Sequence, residues 1–574
     1  MTFEIEINNK PVKVKRGETI LEVLNRIGIK VPTLCSMKDF VPTGMCRLCV
    51  VELEGRDMLI PACSFKVEEW MKIKTHSPRV VLARKTIIEL LLANHPDDCL
   101  YCERNGNCEL QQHAEDMHVR ERRITGQKNT TFLDRSSIAL IHEPSKCILC
   151  GRCIRVCTEQ MGVSVLSFIR RGVATSVRPA LEKPINSSNC VFCGQCLKVC
   201  PTAALSDRVN FSEMQVFFHD PHKKMAVTYS PAVSAIIAEY FGFKTSKNVN
   251  AVIQNILRKI GFEIVFDTSL ATDIMIVEMC GDFIKRLREN GPFPMFSSSC
   301  PAWVKYVEQT HEGLIKNLCT SKSFSQISGV VAKHVIARQK SLLPEDIYLV
   351  SILPCTAAKF EASRPQMTLM GISDVDSVIT VREFIRMIKM YGIDVDRIVA
   401  EIEEKEVAST ASVAGKLVNI SGGTTEVFLK ALSHFLVGKP FAANFSVPRM
   451  INKDYKEFQV EIGDYKLGIA VINGLSNVNV LIQQLSNRDD VHFVEVMACT
   501  NGCMGGGGLP LSWSKEAEKR SIKSLLEWAE EDTVKWVHHN TLLKDVYDNY
   551  LNAPMPSEFH ERLHTYFVKR EVLI

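Results

Sequence analysis

The chain has 574 residues, too many for one ordinary hydrophobic core, so three or four domains are expected. Hydrophobic residues make up 46% and charged residues 23%, a folded protein's balance that excludes wholesale disorder. The net charge of +4 is too mild to indicate a nucleic-acid binder, the start Met1-Thr2-Phe3-Glu4 lacks the features of a secretion signal, and no run approaches the roughly 18 apolar residues of a membrane span.

In chain order, Thr2 to Ile7 alternates like a strand, Asn8-Asn9-Lys10 reads as a turn, and Val12 to Val14 returns as a second strand. Thr19 is placed to cap a helix from Ile20 to Ile27. Cys35, Cys46, Cys49 and Cys63 follow with C-x10-C-x2-C-x13-C spacing. Four thiolates suit a [2Fe–2S] cluster or a structural zinc, and the β-α-β setting favours iron. Gly44 lets backbone approach such a cluster closely.

A helix from Val80 to Leu92 leads to His95, Cys99, Cys102 and Cys108. A lone histidine at a helix end is commonly a cap. Here three cysteines stand immediately downstream, which makes His95 a candidate ligand of a [4Fe–4S] cube. Imidazole in place of thiolate removes a negative charge and should raise the potential. Residues 109 to 145 read as a charged connector. Cys147, Cys150, Cys153 and Cys157 then form a C-x2-C-x2-C-x3-C run, and Cys190, Cys193, Cys196 and Cys200, followed by Pro201, form a second. In such pairs three cysteines of each run hold one cubane and the fourth crosses to the other. Thiols so committed to metal imply a reducing compartment, here the cytoplasm.

Beyond about residue 210 the texture changes. Ile264–Phe266, Met275–Val277, Ile347–Ile352, Leu467–Ile472 and Phe493–Met497 read as strands, and Val381 to Met390 as a helix between them. This pattern predicts α/β lobes on largely parallel sheets, with ligand sites at the C-terminal ends of strands. Cys300 in Ser299-Cys300-Pro301, Cys355 in Pro354-Cys355-Thr356, and Cys499 with Cys503 in Met497-Ala498-Cys499-Thr500-Asn501-Gly502-Cys503 sit there. Four thiols on three loops can close one further cube. Cys280 and Cys319 are left over, readable equally as buried structural thiols or as proton relays, and the tail after Ser514 reads as a helical extension.

These three loops resemble the T-S-C-C-P, P-C-x-x-K-x-x-E and M-A-C-x-x-G-C motifs of [FeFe] hydrogenases of the large monomeric clostridial type, and the likeness covers all 574 residues. The resemblance implies an α+β multidomain chain: a β-grasp [2Fe–2S] domain over 1–79, a small [4Fe–4S] domain with one histidine and three cysteine ligands over 80–126, a two-[4Fe–4S] ferredoxin-like domain over 127–209, and a two-lobed α/β domain carrying the H-cluster over 210–574. It implies one [2Fe–2S] and three accessory [4Fe–4S] clusters. Cys300, Cys355, Cys499 and Cys503 would hold the cubane of the H-cluster, with Cys503 bridging to a diiron subsite bearing CO, CN⁻ and azadithiolate. Ser230, Pro231, Gly422 and Gly423 would contact the cofactor, and Gly505 to Gly508 would allow close backbone approach. The implied reaction is 2H⁺ + 2e⁻ ⇌ H₂, with ferredoxin or flavodoxin as electron partner, maturation proteins to install the diiron unit, and a monomer that engages neither nucleic acid nor membrane.

The departures concern protons. Ser299 stands where the family has a relay cysteine, and an aliphatic hydroxyl ionises far less readily than a thiol. The usual Glu, Ser, Glu and surface Arg become Met279, Cys319, Asp282 and Arg286, so the route is interrupted at Met279 unless water or Glu278 bypasses it. Ala358 replaces the lysine that holds a cyanide, Lys359 is displaced by one residue of rotation, Ala357 and Ser325 remove further donors, and Glu361 loses its usual neighbour. Every cluster ligand is kept. A slowed hydrogenase, an H₂ sensor of low turnover and a non-catalytic iron–sulfur assembly relative are the three readings, in that order.

Overall fold

The structure, a computed structural model, describes all residues except 1, 122, 129–132, 244–247, 403–410, 439–448, 512, 552–560 and 572–574, so parts of the expected connector and tail lie outside the described residues. The chain forms two compact units. One comprises Met1–Glu159, Ser164–Asn186 and Cys196–Ser206; the other comprises Gln160–Val163, Ser187–Gln195 and Asp207–Ile574.

In the first unit, strands β1 (Thr2–Ile7), β2 (Lys10–Lys15), β3 (Val50–Leu53), β4 (Ile60–Pro61) and β5 (Lys72–Lys74) form a sheet ordered β2-β1-β5-β3-β4. Thr2 lies opposite Lys15 in the antiparallel β1–β2 pair, and Ile7 lies beside Ile73 in the parallel β1–β5 pair. The helix Ile20–Arg26 is fixed by a capping box, in which the Thr19 hydroxyl accepts from the Glu22 N–H and the Glu22 carboxylate accepts from the Thr19 N–H. Its Ile20, Val23 and Leu24 pack with Ile5, Ile7, Leu53 and Ile73 into one core. The expected β-α-β opening is present. The helix Pro78–Asn94 starts on a Ser77 cap with Pro78 in its first turn and ends at His95, so the chain leaves the helix at a candidate ligand.

The second unit holds two larger sheets. β6 (Lys224–Tyr229), β7 (Ile264–Asp267), β9 (Ile347–Leu353) and β10 (Ser377–Thr380) form an all-parallel sheet ordered β7-β6-β9-β10. All seven residues of β9 are buried, as a central strand covered on both faces requires. β8 (Met295–Phe296), β11 (Arg449–Asn452), β12 (Tyr455–Ile462), β13 (Tyr465–Asn473) and β14 (Phe493–Met497) form a mixed sheet ordered β8-β14-β13-β12-β11, parallel among β8, β14 and β13.

Two expectations are corrected. Met275–Val277 is no strand but the middle of the helix Ser269–Glu289, whose buried Ala271, Met275, Met279 and Phe283 recur at helical spacing; a short apolar run does not by itself separate a strand from a buried helix. The tail after Ser514 begins as the helix Lys515–Glu531 but is more than an extension. It returns to the lobe, where His564 bridges Ser321, Lys322 N–H donates to the Leu563 carbonyl, and Glu308 receives Val568 N–H and the Arg570 side chain. Among the described residues, no helix is long and apolar enough to cross a membrane.

Candidate functional site

Each candidate cluster site is built from a loop that gathers thiols. In the first unit, Cys35, Cys46, Cys49 and Cys63 lie close enough to influence one another: the thiols of Cys46 and Cys63 hold Cys35 down, and Cys35 in turn pushes both of them up. His95 joins Cys99, Cys102 and Cys108 around a cavity of about 200 Å³. Burial lowers its imidazole to about 4, so the ring is neutral and able to ligate. Nδ1 lies 3.3 Å from the Pro96 carbonyl while Nε2 is buried with no hydrogen-bond partner, the arrangement of a ligating imidazole whose other nitrogen is held by a carbonyl. Cys99 is exposed, which puts this site at the surface. We expect His95→Cys to change the resonance of one cluster in electron paramagnetic resonance and leave the others unaltered; an unchanged spectrum removes His95 from the ligands.

Cys147, Cys150 and Cys153 line one small cavity together with Cys200, the crossing cysteine of the second run. Leu149 (φ 55°) and Gly151 (φ 74°) turn the loop left-handed, and Leu149 N–H donates to Cys147 Sγ at 3.4 Å. The second run repeats the turn with Phe192 (φ 57°) and Gly194 (φ 70°). Cys190 and Cys193 belong to the second unit, Cys157, Cys196 and Cys200 to the first.

The remaining four thiols converge within the second unit. Cys300 follows β8, Cys355 follows β9, and Cys499 and Cys503 follow β14, at the carboxyl ends of parallel strands as expected. Burial and the thiols of Cys300, Cys503 and Cys499 push Cys355 well above the ordinary thiol range, so the four half-buried residues are close enough to influence one another. Ala498 N–H donates to Cys300 Sγ at 3.4 Å, and Cys503 N–H to the Asn419 carbonyl at 3.0 Å. The glycine run is required by contact: a Cβ on Gly506 would lie 2.1 Å from the Pro354 carbonyl oxygen, and one on Gly507 2.3 Å from that of Cys193. Arg382, paired with buried Asp207, holds this loop through the Gly507 and Leu509 carbonyls.

Ser230 closes β6, beside β9, and its buried hydroxyl has no hydrogen-bond partner among the described residues; Pro231 opens the next helix. This orphaned hydroxyl, four half-buried thiols and a glycine cradle fit a large cofactor with its own acceptors. Gly422 and Gly423 are closely packed against protein: a Gly423 Cβ would meet the Leu417 carbonyl at 1.9 Å, and Gly422 N–H donates to Glu495. Among the described residues, no three His, Cys, Asp or Glu side chains close on a single metal ion.

Sequence alone missed Gln195. Its Nε2 donates to Cys499 Sγ at 3.1 Å and to the Gly505 carbonyl at 2.9 Å. Its place two residues after Cys193 was the available signal. Lys305 was missed too; its Nζ donates to the Cys190 carbonyl at 2.7 Å and sits over the Phe192 ring, and burial lowers it to about 8.

The proton-route residues differ from expectation. Ser299 is half-buried and makes no hydrogen bond among the described residues, and Met279 is 1% exposed within the core. Arg286 is a buried clamp, not a surface arginine: its guanidinium reaches the carbonyls of Pro292, Asn317 and Leu318 and pairs with Asp282 at 2.9 Å. Burial opposes ionisation of Asp282, but Arg286 and the Thr320 N–H outweigh it and hold the carboxyl below its usual range. Cys319 is fully buried beside Asp282, and burial with that carboxylate pushes its thiol up. Glu278 does not bypass Met279, because it faces Tyr547 and His564 at an open cleft of about 540 Å³. Cys280 lies against the Phe428 carbonyl in the core, as a structural thiol.

Lys359 does not replace the missing lysine. Its ammonium is fully buried against Glu383 at 2.8 Å and the Arg208 carbonyl. Glu361, with the Ser323 hydroxyl at 2.9 Å, is pushed up to about 7 by burial, against the opposing effects of Ser323, Arg364 and Gln326.

Similarity to known proteins follows the same division. Residues 223–507 match the iron only hydrogenase large subunit, C-terminal domain. Residues 1–78 match a 2Fe-2S iron-sulfur cluster binding domain, 84–123 the NADH-ubiquinone oxidoreductase-G iron-sulfur binding region, and 146–204 a 4Fe-4S dicluster domain. The chain is 34% identical to the NADP-reducing hydrogenase subunit HndD of Solidesulfovibrio fructosivorans, over 99% of each chain. It is also 34% identical to iron hydrogenase 1 of Clostridium pasteurianum, over 98% of this chain and 100% of that one. The solved structure of apo [FeFe]-hydrogenase HydA1 from Chlamydomonas reinhardtii superposes with a TM-score of 0.55 at 27% identity, covering 63% of this chain and 99% of that one.

Proposed function

Because the chain belongs to the iron-only, or [FeFe], hydrogenase family, we propose that it interconverts protons and H₂, drawing electrons from ferredoxin or flavodoxin. The observation that carries the reading is the approach of the half-buried Cys300, Cys355, Cys499 and Cys503 to one another beside a glycine cradle. These four would hold the cubane of the H-cluster, and Cys503 would bridge to the diiron unit. The bound cofactor supplies an open metal position and a basic amine for heterolytic H₂ chemistry.

The chain's own residues orient this site, exclude water and bring electrons and protons. Gln195 donates to Cys499 Sγ; a hydrogen bond to a cluster sulfur stabilises the reduced form and raises its potential. Four accessory clusters, one [2Fe–2S] and three [4Fe–4S], would wire the site to the surface. Their proposed ligands are Cys35, Cys46, Cys49 and Cys63; His95, Cys99, Cys102 and Cys108; and the two runs 147–157 and 190–200. We propose a cytoplasmic monomer that depends on maturation proteins, with domains bounded near residues 79, 126 and 209.

Buried Met279 and an unbonded Ser299 support slow proton delivery, and they equally favour a second reading, an H₂ sensor of low turnover. HndD is by name a subunit of an NADP-reducing enzyme, so the partner is tested directly. Matured protein given reduced ferredoxin is expected to evolve H₂ continuously. Turnover that requires NADPH and a further subunit would move the partner to the HndD arrangement, and binding of H₂ without sustained turnover would favour the sensor.

A further inference from the structure

The C-terminal segment places an imidazole where the inherited proton route meets solvent. His564 is held by backbone: Thr565 N–H donates to the Thr320 carbonyl at 2.8 Å, Lys322 N–H donates to the Leu563 carbonyl at 2.9 Å, and His564 bridges Ser321. Its Nε2 lies 2.9 Å from the Glu278 carboxylate, which also receives the Tyr547 hydroxyl, and its Nδ1 lies 2.8 Å from Thr320 Oγ1. That hydroxyl is 3.3 Å from Asp282 Oδ2, and the buried Cys319 thiol, on the residue before Thr320, adjoins the same carboxylate. Glu278, Asp282, Thr320 and His564 all line the open cleft, together with Lys285 and Glu289. The path from solvent is therefore continuous through side-chain hydrogen bonds as far as Asp282, whose carboxylate adjoins a thiol with no exposure.

We propose that His564 is the proton-exchange residue of this protein, loading Asp282 and Cys319 from the cleft through the Thr320 hydroxyl; the role rests on the hydrogenase reading, while its test does not. The transfer balances. Nδ1–H gives its proton to Thr320 Oγ1 as the Thr320 hydroxyl proton passes to Asp282, which leaves Asp282 protonated and His564 neutral. The ring is charged beforehand, when Nε2 of the neutral Nδ1–H tautomer takes a proton from water or Glu278; after the transfer the remaining proton sits on Nε2, and its exchange with cleft water restores the starting tautomer. Asp282 exchanges its proton with the Cys319 thiol. Arg286 is unsuited to this work, because a guanidinium stays protonated and this one is engaged with carbonyls. An imidazole has two ring nitrogens, so one can accept a proton as the other donates, which the task requires.

The exchange can be read without turnover. In the cluster-loaded protein the proposed ligands are thiolates, so Cys319 and Cys280 carry the S–H infrared bands, and Cys319→Ala assigns them. On transfer to D₂O, Cys319 is expected to exchange faster than Cys280, which has no such path. His564→Ala is expected to slow Cys319 exchange by roughly a hundredfold, the lower end of what a positioned proton-transfer group contributes, and added imidazole to restore it. Thr320→Val, which removes only the hydroxyl link, should slow it similarly and resist imidazole. Wild-type exchange at Cys319 in both variants overturns the proposal. So does slowing that imidazole does not relieve in His564→Ala, or a change shared by Cys280, since either reports altered structure rather than a lost relay. Failure of the hydrogenase reading would show separately, as absence of H₂ chemistry in a protein whose Cys319 still exchanges through His564.

Discussion

Ser299→Cys combined with Met279→Glu is expected to raise H₂ evolution by about a hundredfold, the lower end of the gain from a positioned proton-transfer group. A thiol at 299 supplies a group of suitable acidity, and a carboxylate at 279 puts a titratable group on the helix Ser269–Glu289 one position after Glu278, which points to the cleft instead. Met279 is 1% exposed and its thioether carries no transferable proton, so Ser299→Cys alone should give only a small part of the gain. The assay is H₂ release from reduced ferredoxin at saturating electron supply. Equal rates in wild type and double variant would show that proton delivery does not limit turnover.

The largest stability effect is expected at Lys359. Its ammonium and the Glu383 carboxylate are both fully buried, and Glu383 also accepts from the N–H groups of Thr380 and Asn210. Lys359→Met leaves that carboxylate without a counter-ion, which costs about 3–5 kcal/mol, whereas replacing both partners by apolar residues costs far less. Denaturant unfolding of Lys359→Met and of Lys359→Met with Glu383→Leu checks this. If the two lose equal stability, the pair is not what holds this region. The result also bears on function, because a lysine pinned here cannot serve a cofactor above Ala358.

The cysteine spacing made the cluster sites legible, because a cluster demands several thiols within short loops and the backbone must turn between them. The parallel sheets were legible for a related reason: strands such as Ile347–Leu353, buried on both faces, read as continuous apolar runs. The same rule misled at Met275–Val277, where tertiary packing lets a helix bury a similar run. What could not be read was direction. Sequence placed Glu278 beside Met279 but did not show that it faces Tyr547 and His564, nor that Arg286 spends its guanidinium on carbonyls. His564 lies 244 residues from Thr320 along the chain, and nothing local announces that the C-terminal segment returns there.

Infrared spectroscopy of protein matured anaerobically with its diiron unit tests the central claim most directly. If Cys300, Cys355, Cys499 and Cys503 hold an H-cluster, sharp CO and CN⁻ stretching bands will appear, shift on reduction and on exposure to H₂, and vanish in Cys503→Ala. A protein whose iron is fully accounted for by cubanes and a [2Fe–2S] cluster, with no such bands after maturation, would contradict the account and leave the chain an electron carrier or assembly relative.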